Sequence, residues 1–234
     1  MSLLTDVDSC RACITRQERF AKGLALRPSQ VPKKFPATIG AAGDAKLLFV
    51  ALCPRLGRNY VLDWANESAD QFVTLAGNRD QHGRAYVESY AANDGKESEE
   101  FYRPYVEIAK AVYPGNSFEE VAAVTDLYLC AYPPNNRNEF DSNYVSLPTN
   151  SPCARDFMER TIAQVKPAAI ITRGCSPKEY FGMRYLRKRR LQYRTAYTMR
   201  INEVSTVLLP LRSGNQFGLP EIDKQWAIDE LKRV

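Results

Sequence analysis

The chain has 234 residues, 44% of them hydrophobic and 25% charged, which is ordinary for a globular protein with a sizeable core and excludes a disordered or low-complexity chain. Lys and Arg outnumber Asp and Glu by 32 to 27, a net charge of +5. No apolar run approaches a membrane span, and MSLLTDVDSC has neither a basic n-region nor an apolar h-region, so a single domain over residues 1–234, located in the cytoplasm, is expected.

The first motif in chain order is the pair Cys10 and Cys13, a CxxC that puts two thiolates within reach of one metal. Six cysteines without a secretory leader argue for metal binding or buried thiols over a disulfide framework. Lys46 to Leu52 (KLLFVAL) then reads as a buried strand, with Cys53 at its end. Asp63 to Glu100 is polar, lacks a clear period and holds the single histidine, His82, which suggests an insertion or lid at about 63–100. Phe101 to Tyr113 repeats apolar residues at helical spacing.

Val124 to Leu129 is a second apolar strand, interrupted by Asp126. A carboxylate near the end of such a strand is costly to bury unless a structural partner or a ligand pairs with it. Cys130 follows at once, then a proline pair and Asn135, Asn136 and Arg137 in a polar loop; Cys153 lies beyond a gap of 22 residues. Together Cys10, Cys13, Cys130 and Cys153 can close a tetrahedral zinc site or hold a cubane iron-sulfur cluster, and spacing alone does not choose.

Asp156 to Val165 is helical in pattern through Phe157, Met158, Ile162 and Val165, and Ala168 to Thr172 is a third strand. Met183 to Arg200 carries seven Lys or Arg residues, among them Arg187, Lys188, Arg189 and Arg190, no acid and three tyrosines. Such a segment fits a polyanion that also offers flat bases, and equally fits a solvated basic face or a helix that packs its tyrosines. Ser205 to Leu209 is a fourth strand, and Pro220 to Val234 opens on proline and acids and closes on basic residues, as a helix does. Near-continuous apolar strands alternating with helices indicate a three-layer α/β/α fold with a central, mostly parallel four-stranded sheet. Ligands of such sheets bind outside the carboxyl ends of the strands, which selects the loops Cys53–Tyr60, Cys130–Arg137, Arg173–Ser176 and Pro210–Gly218.

Read jointly, several segments resemble the uracil-DNA glycosylase superfamily, specifically its iron-sulfur family 4 enzymes. They are CRAC, LLFVALCP, DLYLCAYPPNNR, SPCARDF, VKPAAIITRGCSPKEYFG and KQWAIDELKRV, and they span most of the chain. The resemblance implies a 4Fe-4S cluster on Cys10, Cys13, Cys130 and Cys153, structural in role, although the gap between the last two is longer than is usual in the family. Cys53 and Cys175 stand where the family has small residues and are expected to be buried thiols. DNA is the implied partner, bound by a monomer.

Three positions depart from the family pattern. Leu52 stands where the family has its water-activating acid, and LPLRSGN replaces His-Pro-Ser, so that Leu211, Arg212 or Ser213 takes the histidine position. Asp126 replaces the asparagine that reads uracil. An ionised aspartate only accepts hydrogen bonds, so it repels O4 of uracil and suits the N4 amino group of cytosine; protonated, it donates to cytosine N3. The resemblance therefore implies an N-glycosyl hydrolase that flips a base from DNA, with a modified cytosine as substrate, such as the hydroxymethylcytosine or glucosylated hydroxymethylcytosine of phage DNA, in antiviral defence. Uracil excision in base excision repair and a catalytically inactive DNA-binding relative are the alternatives. Asp126, Arg212 and Ser213 are the catalytic candidates; Asp126, Tyr60, Phe101, Tyr102 and Asn215 are candidates for the base, and Arg137 with Arg187 to Arg190 for the DNA backbone.

Overall fold

The computed structural model describes residues 33–34, 39–40, 45–52, 96–127, 130–131, 153–213 and 218–233. In chain order these form β1 (Lys33–Lys34), β2 (Ile39–Gly40), β3 (Leu47–Ala51), α1 (Lys96–Val112), α2 (Phe118–Val121), β4 (Ala122–Asp126) and β5 (Cys130–Ala131). A π-helical turn, Ala154–Met158, then runs into α3 (Glu159–Val165), followed by β6 (Ala169–Arg173), α4 (Cys175–Tyr185), β7 (Tyr197–Ile201), β8 (Val204–Leu211) and α5 (Glu221–Leu231).

One sheet of six strands, ordered β2-β4-β3-β6-β8-β7, organises the protein. Its four inner strands run parallel, and β2 and β7 close the edges antiparallel to β4 and β8. The expected four strands are thus the inner ones, and the sheet is two strands wider. β2 has two residues, too few to carry a period, and β7 alternates exposed polar with buried apolar residues as a half-covered edge does. β3, β4 and β6 are buried along their lengths because helices cover both sides, and β8 is buried from Leu208 to Leu211.

Alternation along the strands divides the core between those two sides. Leu47, Phe49, Val124, Ile171 and Leu209 face α1, α2 and α5. Leu48, Val50, Ile170 and Leu208 face the π-helical turn, α3 and α4. On the first side Phe49 stacks on Tyr105 of α1, ring centroids 4.5 Å apart, and on Phe118 of α2 at 6.0 Å. Each such pair contributes about 0.5–1.5 kcal/mol beyond the area it buries.

Several boundaries differ from expectation. α1 starts at Lys96, so the end of the supposed insertion is helical, while residues 63–95 lie outside the described residues. The second strand begins at Ala122 and ends at Asp126, making the carboxylate its terminal residue. α4 carries a proline and a glycine and buries Ser176, Pro177, Lys178, Tyr180, Phe181 and Gly182, so no amphipathic stripe marks it as a helix. Gly182 is required by packing: a Cβ there would lie 2.8 Å from the Lys188 carbonyl oxygen and 2.9 Å from Leu191. Among the described residues no helix is long and apolar enough to cross a membrane.

Candidate functional site

The connection from β3 to β4 passes through α1 on one side of the sheet, whereas β6 leads into α4 on the other. Adjacent parallel strands whose connections leave to opposite sides open a crevice at their carboxyl ends, where open α/β sheets bind ligands. In this protein that switch point lies between the ends of β3 and β6.

The residues at that level form a row on the α1 side. Pairing sets Asp126 beside Ala51 and Arg173 beside Leu211, with Ala51 and Arg173 on neighbouring strands. Asp126 and Arg173 are both buried, at 7% and 4% exposure, and flank the small Ala51 with their backbones about 10 Å apart. The Arg173 guanidinium lies over the Tyr105 ring, 5.8 Å from its centroid, and Tyr105 rests in turn on Phe49. A buried carboxyl group, the small Ala51 and a buried guanidinium thus lie side by side at the switch point, the guanidinium over the Tyr105 ring. Asp126 was singled out by its sequence; Arg173 was assigned only to a loop, although an arginine closing the apolar run AIIT carries the same signal.

A second charged group lies at the end of β8. Asp223, wholly buried in the first turn of α5, accepts hydrogen bonds from the Arg212 backbone N–H and Nη2, each at 2.7 Å, and from Nε at 3.2 Å. Arg194 Nε approaches the same carboxylate to 3.7 Å. Arg212 is therefore held along one edge by Asp223, and the exposed Ser213 follows it, with its Cβ 3.7 Å from where a Cβ on Gly174 would stand. Neither Asp223 nor Arg194 stood out in the sequence, because an acid after Pro220 reads as an ordinary helix start.

Beside this group α4 begins. Its Cys175 is exposed, contrary to the buried thiol expected, because the first helical position turns outward; Sγ donates to Glu179 at 2.9 Å. Burial of the sulfur, then the Glu179 hydrogen bond and charge, push the thiol above its usual range. The Lys178 ammonium lies 4.0 Å from the Tyr193 ring centroid, and burial, followed by the Cys175 and Glu179 charges, pushes the Tyr193 phenol up to about 12.

The basic segment is an extended return strap rather than a helix beyond Tyr185. Lys188 N–H donates to the Gly182 carbonyl and Arg194 N–H to the Pro210 carbonyl, so the strap climbs beside α4 to the carboxyl end of β8. Arg187, Lys188, Arg189 and Arg190 are exposed, and among the described residues none pairs with a carboxylate. The tyrosines have internal duties: Tyr185 packs on Tyr180 and Phe181, Tyr193 lies under Lys178, and Tyr197 accepts from the Gln192 N–H at 2.9 Å while Lys188 covers its ring. The segment therefore offers charge and keeps its rings for packing.

Of the cysteines, Cys153 is buried at the start of the π-helical turn, and Cys130 lies in β5, paired in antiparallel register with Lys34. That ladder brings the N-terminal part of the chain beside the start of the long loop. Cys10 and Cys13 lie outside the described residues, as do Tyr60, His82, Arg137 and Asn215; Phe101 and Tyr102 belong to α1, with side chains outside the description. Among the described residues no three His, Cys, Asp or Glu side chains gather as a metal site. Leu52 is half-buried against the α4 side of the core. No family model matches the chain, and no curated protein matches it.

Proposed function

We propose that the chain is a DNA glycosylase that hydrolyses the N-glycosidic bond of a modified cytosine, with hydroxymethylcytosine or its glucosylated form as the substrate class. The observation that carries this reading is the buried pair Asp126 and Arg173 flanking Ala51 at the switch point. A carboxylate has about four lone-pair sites, so one engaged inside the protein keeps acceptor capacity for the N4 amino group. Arg173 supplies the opposite polarity for the acceptors N3 and O2. Uracil presents O4 in place of the amino group and would meet like polarity at Asp126. Unmodified cytosine is unsuitable as a target, since its removal would destroy the cell's own genome; defence against modified phage DNA is the corresponding role.

In the reaction a water oxygen bonds to C1′ as the bond from C1′ to the base nitrogen breaks, and the base leaves with the electron pair and takes up a proton. Positive charge grows on the sugar and negative charge on the base. Asp126 holds the amino edge, Arg173 stabilises the charge developing on the base, and the exposed arginines of the strap attract the phosphates. Cys10, Cys13, Cys130 and Cys153 are the donor set for a 4Fe-4S cluster, with zinc the alternative. Such a group would tie the N-terminal segment to the long loop, a structural role that takes no part in the bond cleavage.

A catalytically inactive DNA-binding relative is the second reading, favoured by the apolar Leu52 and by the commitment of Arg212 to Asp223. The test is incubation with duplexes containing uracil, cytosine, hydroxymethylcytosine or glucosyl-hydroxymethylcytosine, scoring abasic sites. Product at the modified cytosines supports the glycosylase. Product at uracil alone overturns the base assignment, and binding without product on any duplex supports the inactive relative.

A further inference from the structure

We infer that Arg194 and Arg212, fixed by Asp223, form a clamp for one phosphodiester group of the bound DNA strand, with Asp223 as its positioning residue. The carboxylate is wholly buried, and two guanidinium groups converge on it from different parts of the chain, one from the end of β8 and one from the basic strap. Two cations on one anion leave a surplus positive charge, and the surplus faces outward: the side chains of Arg212 and Arg194 keep 42% and 39% exposure. Asp223 occupies Nε and Nη2 of Arg212, so the Nη1 edge remains a donor, and at 3.7 Å Arg194 contributes charge to the carboxylate while keeping its N–H fork for another acceptor.

The backbone supports the same arrangement. Arg194 has φ of 55°, a left-handed conformation that is costly for a residue with a Cβ, and its N–H is tied to the Pro210 carbonyl at 3.0 Å. That bond turns the strap back onto the end of β8, next to Arg212. The exposed Ser213 adds a hydroxyl donor beside them. The nearby acid on α4, Glu179, accepts from Cys175 at 2.9 Å. Fixed guanidinium forks recognise the paired oxygens of a phosphodiester, and a fork held in advance loses little side-chain freedom when it binds. The clamp lies at the carboxyl end of β8, and β6 alone separates that strand from the end of β3, so a strand gripped there would run past the crevice. This inference rests on the nucleic-acid part of the reading above and is independent of which base is removed.

The experiment measures binding of a labelled all-thymidine oligodeoxynucleotide, which has no cytosine-type base to excise, across a potassium chloride series. Arg194→Gln and Arg212→Gln are each expected to weaken binding about tenfold and to lower the slope of log K against log salt by about one. Arg194→Lys keeps the charge and loses the fork, and is expected to weaken binding as well. Asp223→Asn decides the matter, because it raises the net charge by one: diffuse attraction predicts tighter binding, whereas release of the two arginines predicts weaker binding. Circular dichroism identifies a variant that fails to fold, in which case Arg194→Lys carries the test. Wild-type affinity in Arg194→Gln and Arg194→Lys, tighter binding by folded Asp223→Asn, or no binding by the wild-type protein would each overturn the clamp. A protein that leaves no abasic site on any duplex and yet shows the expected losses refutes the glycosylase and keeps the clamp.

Discussion

Two aspartates at the same end of the sheet solve the cost of a buried charge in different ways. Asp223 has no exposed surface; an arginine backbone N–H and two guanidinium groups surround it, and its position in the first turn of α5 adds the favourable field of the helix start. Asp126 ends a strand, keeps 7% exposure, and sits at the switch point with a methyl-sized neighbour between itself and Arg173. Its burial is thus combined with a place at the switch point. The contrast separates construction from proposed recognition: a carboxylate sealed beneath two cations fixes other side chains, while the one at the switch point is the one proposed to meet a ligand.

The largest expected effect comes from removing the aromatic stack beneath Arg173. Phe49→Ala deletes the ring between Tyr105 and Phe118 and should lower stability by about 3–5 kcal/mol, read as a lower denaturation midpoint in urea. A loss below about 1 kcal/mol would mean that the aromatic stack does not support the Asp126 row. Next is the exchange of the two aspartates for asparagine. Asp126→Asn should reduce excision of the modified base by about a hundredfold and shift the melting temperature by no more than about 2 °C. Asp223→Asn should show the reverse weighting, a melting temperature lower by about 5 °C with a smaller loss of excision. Equal effects of the two exchanges on stability would dissolve the distinction between them.

The sequence disclosed these two residues unequally, for a physical reason. Asp126 interrupts an apolar run, and a charge within a strand buried on both faces has to be explained, so the residue could be singled out from Val124 to Leu129 alone. The four inner strands were legible for the same reason, since burial on both faces leaves a continuous apolar signature. Asp223 lies among the polar residues of a helix start, where acids are common, and nothing local reports that Arg194, far back in the chain, and Arg212 fold onto it. α4 was hidden because burial around much of its circumference erases the amphipathic period, and β7 because an edge strand carrying Arg200 looks like part of the basic segment. Charge was visible in the strap; that its tyrosines pack inward was not, because the residues they meet, Tyr180, Phe181, Lys178 and Lys188, are fixed by the turn at Gly182.

The smallest expected effect belongs to a third carboxylate, Glu179, which is half-buried and acts on a single thiol. Burial of the Cys175 sulfur, then the hydrogen bond and negative charge of Glu179, raise the thiol above its ordinary range, while Lys178 and Tyr193 pull weakly the other way. The folded protein therefore holds this proton more tightly than the unfolded chain does. Its contribution to stability is complete below the ordinary thiol pKa and fades as pH rises through the raised value. Because only the thiolate is alkylated, Cys175 should react with iodoacetamide more slowly at pH 8 than an unperturbed cysteine, despite its exposure. Glu179→Gln removes the charge and should move the pH profile of labelling down and raise the rate at pH 8, measured by mass spectrometry of the Cys175 peptide. An unchanged profile would leave burial as the whole cause of the shift.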